Sequence, residues 1–375
     1  MTGEKIDDFY AIIPAGGVGS RLWPISRKNR PKFLYDFLGS GSTLIQSTYL
    51  RLVALAGEGH VVVSTGEKHV DAVREQIPAL ADDAVFAEPV GRDSTAAIAL
   101  ATAILARRHG DDIVVGSFAA DHVIRDQAAF AKSVREAVAA ARAGYVCTIG
   151  IAASRPSTAF GYIRKGDSLA SSVPDAPDAF TVREFVEKPD AATAQAYLIT
   201  GDYHWNAGMF VMRARTLLDR LAQYKPQMAQ QIAQIADAWD TPRRAETMTS
   251  VWPAIEKIAF DYSIAEPLAA EGGVAMVPGG FGWDDIGDFN SLAALLPSHN
   301  AQNIKLLGDP DNLVQLDSAG DVIVTEAGRT IALLGVNDMV VVDTPDALLV
   351  APRARSQEVK AMVAKLQEIG RDDIL

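Results

Sequence analysis

An α/β fold on a largely parallel sheet, followed by a small β-rich domain, is predicted by the order of apolar segments in this chain. Three observations predict it. Short β-branched runs alternate with helical patterns, a glycine-rich turn directly follows the first run, and the texture changes after about Ser298. Phe9–Pro14, Val61–Ser64, Ile113–Ser117 and Tyr145–Ile151 read as strands, with helical patterns at Lys68–Glu75 and Phe130–Arg142. Strands of this kind are buried on both faces, and ligands of such sheets bind beyond the strands' carboxyl ends. Ser154–Pro177 reads as a loop excursion, and residues 213–256 as mostly helical. Beyond Ser298, short strands at Val322–Val324, Ile331–Leu334, Met339–Val342 and Ala347–Val350 suggest a solenoid or compact β-domain, closed by an amphipathic helix over Ser356–Ile369. The expected division is therefore 1–297 and 298–375.

Composition narrows the function. With 49% hydrophobic and 22% charged residues over 375 positions, the chain can bury a large core. A single cysteine, Cys147, excludes an internal disulfide, and the six histidines show no zinc spacing. A net charge of −12 argues against a nucleic-acid surface. No segment reads as a membrane span or leader, so a cytoplasmic protein is expected.

Five motifs carry the chemistry. The first is Pro14-Ala-Gly-Gly-Val-Gly-Ser-Arg-Leu-Trp-Pro24, continued by Arg30-Pro-Lys32. Glycines 16, 17 and 19 let backbone N–H groups approach phosphate oxygens, while Arg21 and Lys32 supply charge. Pro24 and Pro31 exclude a dinucleotide-binding helix, and no Gly-Lys-Ser/Thr completes a P-loop. Next come Ala120-Asp121-His122, whose carboxylate ends a strand where Mg²⁺ could be held, and Phe185-Val-Glu-Lys-Pro189. Trp205-Asn-Ala-Gly-Met-Phe210 and Gly282-Trp-Asp-Asp-Ile-Gly287 complete the set. Taken singly, each also reads as an ordinary turn, cap or surface ion pair.

Together, in this order, they resemble the sugar-1-phosphate nucleotidylyltransferases, and more narrowly the bacterial mannose-1-phosphate guanylyltransferases. Glu88-Pro-Val-Gly-Arg-Asp-Ser-Thr-Ala-Ala-Ile98 and Asp343-Thr-Pro-Asp-Ala-Leu-Leu-Val350 match that family too, so the resemblance runs from about Phe9 to the C-terminus. It implies a Rossmann-like nucleotidyltransferase domain with a mostly parallel mixed sheet, plus a small C-terminal left-handed β-helix. The chain resembles the short form, without the isomerase domain of some members. The implied reaction joins GTP and mannose 1-phosphate with Mg²⁺ as cofactor, and the resemblance also implies a homodimer. Arg21 and Lys32 are then catalytic, and Asp121 and Asp285 hold the metal. Ala15, Gly16, Gly17, Gly19, Glu88, Arg92 and Ser94 meet the nucleotide, while Gly161, Glu187, Lys188, Asn206 and Gly208 meet the sugar phosphate. Departures such as Ala119 for Pro, Ala207 for Ser and Asp284 for Ser leave every charged position in place. Asp284 makes the second metal ligand ambiguous by one residue. The alternatives are a guanylyltransferase for another hexose or heptose 1-phosphate, or an inert nucleotide-sugar-binding regulator. The intact charged set favours catalysis.

Overall fold

A computed structural model describes residues 4–375, which form two compact units. The first comprises residues up to Gly16, Thr48–Ala120 and Ile124–Trp283; the second comprises Gly17–Ser47, Asp121–Val123 and Asp284–Leu375. In chain order the strands are β1 Phe9–Ala15, β2 Val61–Gly66, β3 Val85–Glu88, β4 Val114–Ser117, β5 Val123–Ile124, β6 Val146–Ala152, β7 Tyr162–Ser168, β8 Phe180–Val186 and β9 Tyr203–Arg213. Then follow β10 Val274–Pro278, β11 Trp283–Asp284, β12 Lys305–Gly308, β13 Leu313–Leu316, β14 Val322–Thr325, β15 Ile331–Leu334, β16 Met339–Asp343 and β17 Leu348–Pro352. The two-residue strands β5 and β11 lie where the chain passes from one unit to the other.

The first unit is built on one mixed sheet in the order β3-β2-β1-β4-β9-β6-β10-β8-β7. Its parallel part is β3-β2-β1-β4 and the β6–β10 pair. β9 inserts antiparallel between β4 and β6, and the far edge is antiparallel as well. The central strand β1 is almost wholly buried, as a strand covered on both faces must be. The apolar helix Asp93–His109 packs on β1 and β2 and against the helices Ala214–Tyr224 and Pro226–Ala238. The helix Gln127–Arg142, capped by the Asp126 side chain, covers β4, β6, β9 and β10.

One expected loop is a strand. β7 lies inside Ser154–Pro177 and pairs with β8 and β9. Beyond Arg164, where its pairing with β9 ends, Lys165-Gly-Asp-Ser168 is mostly exposed, as suits a free edge whose charges discourage further pairing.

The second unit stacks parallel rungs. Lys305, Val322 and Val340 stand beside one another on β12, β14 and β16, and Leu313 stands beside Ile331 on β13 and β15. Beyond the expected 298–375, this unit takes in Gly17–Ser47, Asp121–Val123 and residues 284–297. The reason is a shared apolar core. Leu22, Trp23, Ile25, Tyr35, Phe37 and Leu44 pack with Val322, Val324, Val340 and Val342 of the rungs. Trp23 also donates its indole N–H to the Ile374 carbonyl at 2.7 Å. Burying such side chains contributes roughly 2 kcal/mol each, enough to draw the glycine-rich loop onto the rungs. Among the described residues no helix is long and apolar enough to cross a membrane.

Candidate functional site

The second unit gathers the charged set. Gly19 adopts a left-handed conformation, and a Cβ there would sit 2.9 Å from Lys32 Cβ, so the loop closes on Lys32 only without a side chain. Lys32 starts a short turn behind Pro31 and is 7% exposed. Its ammonium pairs with Asp121 Oδ2 at 2.8 Å and donates to the carbonyls of Asp285 and Ile286. A buried ammonium is tolerable only with such partners.

The carboxylates around it are tuned differently. Burial would raise Asp121, but Lys32 and His122 hold its carboxyl below the usual range. Burial raises Asp285 despite Lys32 and His122, and the nearby charges of Asp284 and Asp121 add to the effect. Asp284 is spent on its own turn, accepting the Ile286 N–H at 2.8 Å. The Asp285 carboxylate accepts no hydrogen bond among the described residues, which favours it over Asp284 as the one open to a ligand. Arg21, on the turn Ser20–Leu22, is partly exposed and has no ion-pair partner among the described residues. Side chains at Gly16 and Gly17 would meet open space.

No three His, Cys, Asp or Glu residues cluster to hold a metal by themselves among the described residues. The Asp121 carboxylate nonetheless pairs with the Lys32 ammonium, and the Asp285 carboxyl feels the charge of both. Mg²⁺ is commonly held by one or two carboxylates, with phosphate and water oxygens completing its shell. The residues present fit that cation.

The first unit holds a separate polar group. The β6–β9 ladder shifts register between Thr148 and Gly150, opposite the stretch that carries Asn206, and Gly208 turns the strand with φ 66°. Such irregularities re-aim side chains beside functional sites. Asn206 Oδ1 accepts from Thr148 Oγ1 at 2.8 Å and from the Gly208 N–H at 3.1 Å, and its Nδ2 donates to Asp261 Oδ1 at 2.7 Å. After β8 the Glu187 N–H donates to Glu266 Oε1 at 2.9 Å, and Lys188 takes φ 46° before Pro189. Lys188 reaches back to Glu187 Oε1, while Oε2 is buried without a hydrogen-bond partner among the described residues. A Cβ on Gly161 would strike that oxygen. Burial and the Glu187 charge push the Asp261 carboxyl up to about 7.

Glu88 ends β3 and accepts from Ser64 Oγ at 2.8 Å; burial raises its carboxyl, against the pull of the Ser64 and Arg92 hydrogen bonds. Arg92 donates to the Pro253 carbonyl, and Ser94 Oγ accepts the Phe260 N–H at 2.9 Å. These two side chains are engaged inside the fold.

Comparison with known proteins agrees with this arrangement. Residues 10–301 match the nucleotidyl transferase family, and residues 311–366 match the mannose-phosphate isomerase/GMP-like β-helix domain. The xanthan biosynthesis protein XanB of Xanthomonas campestris is 36% identical over 98% of this chain and 75% of its own length. The mannose-1-phosphate guanylyltransferase of Escherichia coli is 36% identical over 97% of this chain and 74% of its own. The chain belongs to the mannose-1-phosphate guanylyltransferase family. It is thus an enzyme of nucleotidyl transfer. A solved structure from Thermus thermophilus, described as a mannose-1-phosphate geranyltransferase, superposes with a TM-score of 0.82 at 28% identity, covering 96% of this chain and 99% of its own.

In this member of the family the structure brings Lys32, Asp121 and Asp285 together, and separately Gly161, Glu187, Lys188 and Asn206. Sequence reasoning missed Asp261, Glu266 and Thr148. A signal for Asp261 existed: a lone carboxylate in Ala259-Phe-Asp-Tyr-Ser-Ile-Ala265, where Phe260 and Ile264 are fully buried. By pattern alone it reads as a first-turn helix aspartate.

Proposed function

We propose that the chain transfers GMP from GTP to α-D-mannose 1-phosphate, forming GDP-mannose and pyrophosphate with Mg²⁺. The observation that carries the reading is the Lys32 ammonium, buried against Asp121 and the Asp285 carbonyl, in a chain whose relatives are named for this transfer. An oxygen of the sugar phosphate attacks the α-phosphorus of GTP in line. The bond from that phosphorus to the bridging oxygen of the β-phosphate breaks, and pyrophosphate leaves. Such a step needs positioning and charge more than a covalent nucleophile.

Arg21, without an acidic partner, binds the leaving phosphates. Lys32 stabilises negative charge at the α-phosphoryl group. The backbone at Ala15–Gly17 and Gly19 approaches the nucleotide unobstructed by side chains. Glu88 serves the nucleotide with its carboxylate, and Arg92 and Ser94 by bracing the loop after β3. Lys188 grips the sugar phosphate, while Gly161, Glu187, Asn206 and Gly208 shape the hexose pocket. Asp121 and Asp285 would hold Mg²⁺, which supplies positive charge against the phosphate oxygens when bound.

The test is pyrophosphate release with Mg²⁺, pairing GTP, ATP, UTP and dTTP with mannose 1-phosphate and then glucose 1-phosphate. GTP with mannose 1-phosphate is expected to exceed every other pair by about tenfold or more. Faster release with another pair overturns the specificity, and no release from folded protein overturns the function.

A further inference from the structure

Asn206 and Glu187 cannot set their own geometry. An asparagine amide can turn over, and only its hydrogen bonds decide which end faces a ligand. Here Oδ1 is committed to Thr148 and to the Gly208 N–H, and one Nδ2 hydrogen is committed to Asp261. That leaves one N–H for a ligand. The Glu187 side chain is 5% exposed, with Oε1 tied to Lys188 and Oε2 buried without a partner beside Gly161. A buried carboxylate oxygen without a donor is costly unless a ligand supplies one.

Asp261 is common to both. It opens a five-residue π-helical turn, Asp261–Ala265, a conformation found disproportionately at functional sites. The turn continues into the helix Glu266–Ala270, whose Glu266 holds the Glu187 N–H. One short segment thus fixes the Asn206 amide through Asp261 and the Glu187 backbone through Glu266.

We propose that Asp261 is a positioning and specificity-determining residue of the hexose pocket, turning the Asn206 N–H and the free Glu187 oxygen towards adjacent hydroxyls of the pyranose. The inference rests on the hexose 1-phosphate reading above. Asp261 does so by holding the amide in one orientation and by crowding Glu187 with a second carboxyl. The charged and titratable groups around it are Glu187 and Lys188 after β8, with Tyr262 and Glu266 on its own segment. With its carboxyl up at about 7, Asp261 is protonated below that pH and offers a donor near the Glu187 oxygens. The pair then offers both a donor and an acceptor, matching a hydroxyl that is itself both. Above that pH Asp261 is charged and the donor is lost.

The experiment compares Asp261→Asn and Asp261→Ala with the parent enzyme, measuring KM for each substrate and kcat across pH. Asp261→Asn keeps an acceptor for the Asn206 amide but cannot titrate. Its expected signature is a KM for mannose 1-phosphate that no longer rises with pH through about 7. Asp261→Ala frees the amide, and KM for mannose 1-phosphate should rise about tenfold while KM for GTP moves less than about twofold, each tenfold being about 1.4 kcal/mol. Equal rises in both KM values, or a fall in kcat alone, would overturn the proposal. So would an unchanged pH profile in Asp261→Asn, which decides the matter should Asp261→Ala not fold. A parent enzyme inactive with every substrate pair sinks the function itself. An active parent with indifferent variants sinks only the role of Asp261.

Discussion

The Lys32 group of the second unit and the Asp261 group of the first use the same residue types to opposite ends. Around Lys32 one ammonium pairs with the Asp121 carboxylate and the Asp285 carbonyl, and Asp121 is held below the usual carboxylate range in spite of burial. Around Asp261 two carboxyls crowd each other, the ammonium near them is that of half-exposed Lys188, and the Asp261 carboxyl is pushed up to about 7. In the proposed reading, the first environment keeps the Lys32 and Asp121 charges for phosphates and a cation, and the second suppresses charge for neutral hydroxyls. The difference teaches that burial alone does not set a carboxyl's state. A directly paired cation outweighs burial at Asp121, whereas a nearby charge without an ion pair does not at Asp285 or Asp261.

The largest way to break the comparison is Lys32→Ala. It removes the ammonium from Asp121 and the Asp285 carbonyl, and kcat should fall by about 10² to 10³, the loss typical of one charge-stabilising group. Near-normal turnover in single-turnover kinetics would take Lys32 out of the chemistry.

Asp285→Ala comes second. It should raise the Mg²⁺ concentration for half-maximal activity by about tenfold, and Asp284→Ala should raise it less, because Asp284 is occupied by the Ile286 N–H. A reversed order in Mg²⁺ titrations would move the ligand one residue earlier.

Gly161→Ala sharpens the second environment. Its Cβ would strike the free Glu187 oxygen, an overpacking cost of about 1–3 kcal/mol. Displacing that oxygen is expected to raise KM for the sugar phosphate and leave KM for GTP unchanged. Equal changes would place Glu187 elsewhere in the reaction.

The smallest effect is on stability. Burial and Glu187 raise the folded Asp261 above its ordinary value of 3.8, so the native state holds this proton more tightly than the unfolded chain does. The contribution is complete below the unfolded value and is lost as pH rises through about 7. Asp261→Asn should therefore melt progressively higher relative to the parent as pH rises across that window. A melting difference independent of pH would show that Asp261 titrates normally.

Much of this was legible in sequence. The apolar strand β1 ending in glycines, Asp121 after β4, and Glu187-Lys188-Pro189 after β8 were placed by local pattern, because a buried strand and its turn announce themselves in a few consecutive residues. β12 and β13 passed unseen because exposed side chains such as Val314 and Leu316 blur the alternation. β7 was hidden by its charged edge.

The sequence by itself determined the α/β order, the change of texture near Ser298 and the charged residues proposed for the chemistry, since periodicity and turn chemistry are local. Only the tertiary structure decided that residues 17–47 pack with the rungs, that Asp284 is spent on its own turn, and that Asp261 governs Asn206 across 55 positions. Those outcomes depend on which distant groups share a buried space. Burial and Coulomb energies are set by that proximity, and the order of residues along the chain does not encode it locally.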